Sequence, residues 1–285
     1  MTATRRIPVD DGVELLVRLD GDQSDPPVMI LHGYLDNSES WGPVATLTAR
    51  AGFRVVRVDH RGHGRSTDVG DEAAYAFDRL CRDTLAVADE LGIESFHLVG
   101  HSMGGYLAQM LAIRDAERLS SLVLVGCSPM PGSPDRPIAA HLRRFVGYRV
   151  GAGRLVRLLA PVLTRRPFAS SPGRTRSELR ASLDALGRSA AMQDPAAFVA
   201  LGEQLQSHDD LRPFLPSIDL PTTVVVGDNE VAKLRAGCEA LAVGIPGAVL
   251  VVVDEAGHGV PMEQPERFAA SLLEHLARAR GVIDA

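Results

Sequence analysis

The sequence has little cysteine and no long apolar stretch. Its 285 residues include three cysteines, Cys81, Cys127 and Cys238, which are far apart and odd in number. A disulfide framework or a zinc site would show short, paired spacings, so buried free thiols in a reducing compartment are expected. No stretch reaches the roughly 18 apolar residues of a membrane-spanning helix, and the first dozen residues lack the apolar core of a signal peptide. We therefore predict a cytoplasmic protein without a membrane partner.

Positive charge is also in deficit. The chain has 30 Lys and Arg against 36 Asp and Glu, a formal net charge of −6. Proteins held mainly by phosphate backbones are basic, so nucleic acid is not an expected partner. Hydrophobic residues make up 45% of the chain, as in an ordinary globular protein. At this length about three-quarters of the unfolded surface can be buried, so folding requires no disulfide or metal staple.

Short apolar runs alternate with helical patterns along most of the chain. Asp11-Gly12 predicts a hairpin between the first two runs. Strands that alternate with helices predict an α/β fold, in which a doubly wound, mostly parallel sheet is covered on both faces. The predicted strands are 5–9, 13–18, 28–31, 53–58, 96–99, 122–125, 223–226 and 249–253, and the main helices are 77–91, 106–113, 232–243 and 265–280.

The alternation is interrupted once, where helical periodicity alone is present. Asp194-Pro195 predicts a helix start, with Asp as the N-cap and Pro in the first turn. An all-helical insertion in such a sheet has the pattern of a lid. We predict an α/β core at residues 1–129 and 217–285 and a helical cap at 130–216, with Phe145, Leu158 and Phe198 in the interior of the cap.

The strongest local motif surrounds Ser102. Gly100-His101-Ser102-Met103-Gly104 follows a predicted strand and precedes a helix, which is the context of a serine on a strained strand-to-helix turn. Larger side chains at Gly100 and Gly104 would collide where strand and helix approach, and the helix N-terminus places free N–H groups beside the serine. We predict that Ser102 is a nucleophile.

A serine hydroxyl needs a base and an acid partner for that base. His258 follows the last predicted strand, at the sheet edge where open α/β proteins bind ligands, and the chain order serine, acid, histidine selects it. Two carboxylates, Asp228 and Glu230, follow the preceding strand and compete for the acid role. The backbone N–H groups of Met103 and Tyr34 are the predicted donors to an oxyanion.

These residues resemble the α/β-hydrolase superfamily, in its large group with a helical cap. The resemblance spans nearly the whole chain and implies the α/β-hydrolase fold, with the acid on the last residue of Gly-x-x-Asp. That position is Glu230 here, with Asp228 as the fallback. The motifs that carry the resemblance are His32-Gly33, Asp59-x-Arg61-Gly62-x-Gly64-x-Ser66, the turn at Ser102, Gly227–Glu230, and Gly257-His258 with Glu263-x-Pro265-Glu266-x-Phe268.

The predicted cap is rich in arginine. Residues 135–188 contain twelve arginines against Asp135, Glu178 and Asp184, a net charge of +9. One interpretation is a solvated helical face balanced by the acidic core. The other is that the cap steers an anionic substrate, such as a carboxylate or a thioester with a phosphorylated carrier.

The leading functional hypothesis is a serine hydrolase that cleaves a carboxylic ester, lactone or thioester through an acyl-enzyme. It acts on a small molecule and requires neither a metal nor an organic cofactor. Two alternatives have the same fold: a carbon–carbon bond hydrolase, and a cofactor-free haloperoxidase or perhydrolase. A third alternative is a non-catalytic small-molecule receptor on a hydrolase scaffold.

Overall fold

The computed structural model describes residues 2–132, 137–163 and 176–283. Within them, eight strands form a single sheet in the order β1-β2-β4-β3-β5-β6-β7-β8. The strands are β1 Ala3–Pro8, β2 Glu14–Asp20, β3 Pro27–Leu31, β4 Arg54–Val58, β5 Phe96–His101, β6 Leu119–Val125, β7 Thr222–Gly227 and β8 Val249–Val253.

Ten helices accompany the sheet in the described part of the chain. Most of them follow a strand, as the alternating pattern predicts. They are α1 Gly42–Arg50, α2 Phe77–Glu90, α3 Met103–Arg114, α4 Pro137–Phe145, α5 Ala152–Leu163, α6 Arg176–Ala190, α7 Pro195–Ser207, α8 Ala232–Gly244, α9 Val260–Glu263 and α10 Pro265–Ile283.

Strand direction gathers the functional loops at one edge. β2 is antiparallel to both of its neighbours, and every pairing from β4 to β8 is parallel. The carboxyl ends of β3, β5, β7 and β8 therefore lie at the same edge of the sheet, and the loops that follow them meet there. The predicted fold class is confirmed.

The central strands β3 to β7 are largely buried on both faces, which explains their apolar runs. Met29 and Leu31 of β3 contribute to the core on one face, with α2, α3 and α8. Val28 and Ile30 contribute to the core on the other face, with α1 and α10. Successive strand side chains point to opposite faces, so a strand covered on both sides needs apolar residues at every position.

Several elements differ from the sequence prediction, among them α1, the four-residue α9 and β6. Helix α1 was not predicted: it has only nine residues, opens on Gly-Pro, and its N-cap residue Trp41 makes no side-chain cap. β6 begins at Leu119, three residues earlier than expected, because Ser120 and Ser121 interrupt the apolar run. Ser121 is nonetheless buried and pairs with His97 of β5.

The predicted cap, residues 130–216, lies between β6 and β7. Its described residues form α4 to α7 and contain no strand, whereas 133–136 (with Asp135) and 164–175 lie outside the described residues. Asp194 caps α7 as expected, since its side chain accepts a hydrogen bond from Ala196 N.

The expected interior of the predicted cap is only partly correct. Phe198 is buried against Val146 and Val199. Phe145 and Leu158 are 58% and 68% exposed, so their predicted burial was wrong. The side chains of successive helical residues point in directions about 100° apart. Val146 therefore faces the buried cluster while its neighbour Phe145 faces solvent.

The three cysteines are free and buried, as predicted.

Among the described helices, none combines the length and the hydrophobicity that crossing a bilayer requires.

Candidate active site

Ser102 occupies a strained turn between β5 and α3. Its backbone has φ 53° and ψ −114°, a conformation that costs a non-glycine residue about 1–3 kcal/mol. A Cβ on Gly100 would lie 2.3 Å from the Gly104 carbonyl oxygen, and a Cβ on Gly104 would lie 2.3 Å from the Leu31 carbonyl oxygen. A side chain at either position would therefore collide with the backbone, as the sequence predicted. The turn presents the serine at the carboxyl edge of the sheet.

The structure brings Ser102, His258 and Glu230 into one hydrogen-bonded line. His258 Nε2 lies 3.0 Å from Ser102 Oγ, and His258 Nδ1 lies 2.7 Å from Glu230 Oε2. The Glu230 side chain is completely buried, while the His258 side chain is 41% exposed. A carboxylate at Nδ1 keeps the proton on that nitrogen, so the lone pair of Nε2 faces the serine hydroxyl.

Local geometry fixes the orientation of Glu230. Its backbone N donates to the Gly227 carbonyl at 3.2 Å, which forms a tight turn after β7. Its second carboxylate oxygen accepts from Val231 N at 2.8 Å. Each oxygen of the buried carboxylate thus has its own donor.

Asp228, the fallback acid, takes a different position. It is exposed, and its Oδ1 accepts from Ala256 N at 3.1 Å and from Asn229 Nδ2 at 2.7 Å. In the described structure, its carboxylate makes no hydrogen bond to His258. Asp228 instead joins the loop after β7 to the loop after β8.

Glu263 holds the loop that carries His258. Its carboxylate accepts from Gly257 N at 2.8 Å and from Gly259 N at 3.2 Å, on either side of the histidine. The Nε2 of His101 lies 2.8 Å from the His258 carbonyl oxygen. Burial lowers the pKa of His101 to about 3, so its neutral ring donates this bond. Neither contact was predicted from the sequence, in which the only signal was the position of Glu263 in the motif Glu263-x-Pro265-Glu266-x-Phe268.

The two predicted oxyanion donors lie beside Ser102. Met103 is its neighbour at the start of α3, and a Cβ on Gly33 would lie 3.3 Å from Ser102 Cβ, which brings Tyr34 close. Within the described residues, the backbone N–H groups of Met103 and Tyr34 have no protein acceptor. Both groups are therefore available to a substrate oxygen.

Three buried histidines lie behind the Tyr34 loop. The ring of His32 is 4.3 Å from that of His60 and 5.1 Å from that of His63. Burial lowers the pKa of His32 to about 3 and depresses the pKa of His60 and His63 as well. Neutral His32 accepts from His60 N at 3.1 Å and donates to the Gly33 carbonyl at 2.8 Å. His32 thus supports the loop, and no group of metal-ligating side chains is found among the described residues.

Comparison with known proteins identifies the family. Residues 26–265 match the family model described as the alpha/beta hydrolase fold. The chain belongs to the α/β-hydrolase family.

Relatives within this family span nearly the whole chain. A non-heme chloroperoxidase from Kitasatospora aureofaciens is 30% identical over 283 residues, which cover 93% of this chain and 97% of that protein. The crystal structure of an enol-lactonase from Burkholderia xenovorans LB400 has a TM-score of 0.79 at 26% identity, covering 96% of this chain and 100% of that one. A thermophilic esterase from Thermogutta terrifontis has a TM-score of 0.77 at 26% identity, covering 97% and 99%.

Proposed function

We propose that this α/β-hydrolase is a serine hydrolase that cleaves a carboxylic ester, lactone or thioester through an acyl-enzyme on Ser102. The observation that carries the proposal is the line from a buried carboxylate through His258 to the Ser102 hydroxyl, with contacts of 2.7 and 3.0 Å. The esterase and the enol-lactonase among the structural neighbours support this reaction class.

Each residue has one role in the proposed reaction. Ser102 Oγ attacks the substrate carbonyl while His258 Nε2 takes its proton, and Glu230 stabilises the imidazolium that forms. The Tyr34 and Met103 N–H groups bind the developing oxyanion. His258 then gives the proton to the leaving group, and a water molecule activated by the same imidazole releases the acid product. These steps require no cofactor or metal.

We also propose that residues 130–216 act as a cap over this site, on a core of 1–129 and 217–285, and favour an anionic small-molecule substrate. Arg149, Arg154 and Arg157 are exposed in this segment. Arg144 is instead paired with Glu72 at 2.8 Å and with Glu203 at 3.2 Å. The exposed arginines would supply an attractive field for a substrate carboxylate or phosphate. A cytoplasmic location stays a prediction.

A cofactor-free haloperoxidase or perhydrolase activity is the second candidate. The full-length similarity to a chloroperoxidase favours it over the carbon–carbon bond hydrolase. Hydrogen peroxide would replace water as the nucleophile that attacks the acyl-enzyme, and the products would be a peracid and free Ser102. The same three residues would serve both reactions.

Covalent labelling tests the main proposal. A fluorophosphonate should label the wild-type protein at Ser102 and leave Ser102→Ala unlabelled, and a panel of esters of varied acyl length and charge should show turnover only with the wild type. Peracid formation in the presence of hydrogen peroxide would favour the second candidate. Tight ligand binding without turnover, unchanged in Ser102→Ala, would instead identify a receptor.

A further inference from the structure

Gln193 contacts the residue whose N–H is proposed to bind the oxyanion. Its Nε2 lies 3.0 Å from the Tyr34 carbonyl oxygen and 2.8 Å from His63 Nε2. We infer that Gln193 is a positioning residue, which holds Tyr34 from the predicted cap so that the Tyr34 N–H stays directed at the oxyanion position. This inference rests on the proposed function, because it requires a catalytic role for the Tyr34 N–H.

The hydrogen-bond pattern identifies the Gln193 amide as the donor to Tyr34. His63 Nδ1 lies 3.0 Å from the Arg61 carbonyl and Nε2 lies 2.9 Å from the Tyr34 carbonyl, so the neutral ring, which carries one hydrogen, can donate to only one of them. When Nδ1 carries the hydrogen, Nε2 accepts. One hydrogen of the Gln193 amide then goes to His63 Nε2 and the other to the Tyr34 carbonyl. In the opposite tautomer His63 also donates to that carbonyl, and Gln193 still does.

Tyr34 is held a second time by its side chain. Its hydroxyl donates to the Phe198 carbonyl of α7. Its ring is stacked on Phe198, with centroids 5.7 Å apart and an interplanar angle of 18°. The carbonyl and the phenol of Tyr34 are therefore both bound by residues 193–198 of the predicted cap, while its N–H is left for a ligand.

The backbone that carries Gln193 is itself anchored to the segment between β4 and α2. Asp194 N donates to the Gly62 carbonyl at 2.8 Å. Asp194 Oδ2 accepts from Gly70 N at 2.7 Å and from the Tyr75 hydroxyl. Since Asp194 is buried and fixed at both ends, the adjacent Gln193 is placed with little freedom, as a positioning group requires.

The other end of the Gln193 amide argues against a role in stability alone. Its Oε1 is buried and has no hydrogen-bond donor among the described residues. A buried acceptor without a partner destabilises a fold, so a residue needed only to fill this space would be better apolar. What distinguishes glutamine from leucine at this position is the donor aimed at Tyr34.

The test compares Gln193→Leu with Gln204→Leu. Gln204 of α7 also joins the predicted cap to the core through two backbone groups, Phe77 N and the Tyr75 carbonyl, each at 2.8 Å. With p-nitrophenyl acetate, Gln193→Leu should lower kcat about tenfold or more at nearly unchanged KM. It should weaken binding of a trifluoromethyl ketone, whose adduct carries an oxyanion, by a similar factor. Its Tm should also fall, because the Tyr34 carbonyl and His63 Nε2 lose a donor, so the changes in kcat and inhibitor affinity are what separate it from the control. Gln204→Leu should lower Tm and leave both kcat and inhibitor affinity unchanged.

Each other outcome has a definite meaning. An active wild type together with kcat and ketone affinity within twofold in Gln193→Leu would overturn the inference alone. Equal losses of kcat in both variants would also overturn it, because general loosening of the predicted cap would then be the cause. A wild type that neither hydrolyses esters nor reacts with a fluorophosphonate would overturn the proposed function first, and the oxyanion role with it.

Discussion

Among single residues, Glu230, the carboxylate bonded to His258, departs from the Gly-x-x-Asp pattern of the resemblance. Glutamate has one more methylene than aspartate, and in this structure the longer side chain makes two hydrogen bonds. Glu230 reaches His258 with one oxygen while the other accepts from Val231 N at 2.8 Å. The turn closed by Glu230 N and the Gly227 carbonyl directs the longer side chain inward.

Paired isosteric substitutions test the choice of acid. Glu230→Gln removes the charge that stabilises the imidazolium and permits the wrong His258 tautomer, so kcat should fall by about 10³- to 10⁴-fold. Asp228→Asn should leave kcat/KM near the wild-type value, because Asp228 contacts Ala256 and Asn229 instead. Ester hydrolysis and a melting curve for each variant check this. A large loss in Asp228→Asn with an active Glu230→Gln would reverse the assignment.

The sequence predicted some of these residues and missed others for a physical reason. Ser102, His258 and the pair Asp228 and Glu230 each follow an apolar strand, and strands of one direction bring their loops to one edge, so their meeting could be inferred from local pattern. The choice of Glu230 over Asp228 came from the family resemblance. Gln193 acts through a hydrogen bond to a backbone carbonyl of a loop that is distant in the chain, and Glu263 through backbone N–H groups four and six residues before it. No periodicity or motif encodes which backbone carbonyl a side chain will meet.

At the level of elements, the start of α7 connects the predicted cap to the core. Asp194→Ala removes the cap of α7 and leaves Gly70 N and the Tyr75 hydroxyl without their acceptor. Loss of an N-cap and of acceptors for two partly buried donors should lower the free energy of unfolding by about 2–4 kcal/mol. Urea denaturation measures this. Asp194→Asn keeps a capping oxygen and should lose less, and equal stability of Asp194→Ala and wild type would contradict the prediction.

Some elements could be predicted from the sequence and others could not. β3 and β5 were predicted because both are largely buried and mostly apolar, with His97 and His101 as the polar residues of β5. α1 was missed because its packing against α10, rather than its short Gly-Pro-led sequence, stabilises it. In the predicted cap, apolar residues outnumber buried positions, so the pattern indicated helices but not which face each one buries.

For the whole molecule, the separation of charge leads to a prediction about ionic strength. The segment 135–188 is strongly positive in a chain whose net charge is −6. If that field steers the substrate, kcat/KM for an ester carrying a carboxylate should fall steeply between about 0.01 and 0.5 M salt, where the screening length drops from about 30 Å to a few ångströms. A neutral ester of the same acyl chain is the control and should respond little. Equal salt responses would show that the arginines only solvate the surface.

The buried histidines make the stability of the fold depend on pH. Burial lowers the pKa of His32, His101 and His275 to about 3 and that of His97 to about 4. The unfolded chain binds these protons near pH 6.5 and the folded chain does not, so stability is fully present above that pH and is lost as the pH falls toward 3. At pH 5 each such histidine lowers the free energy of unfolding by about 2 kcal/mol.

Four such groups are enough to threaten a domain of ordinary stability, so the urea midpoint should fall sharply between pH 7 and pH 5. Circular dichroism during urea titration at the two pH values measures the fall. His97→Gln, which removes one proton-binding group, should show a smaller pH dependence than the wild type. A midpoint that does not change between pH 7 and pH 5 would mean that the histidines are protonated without unfolding.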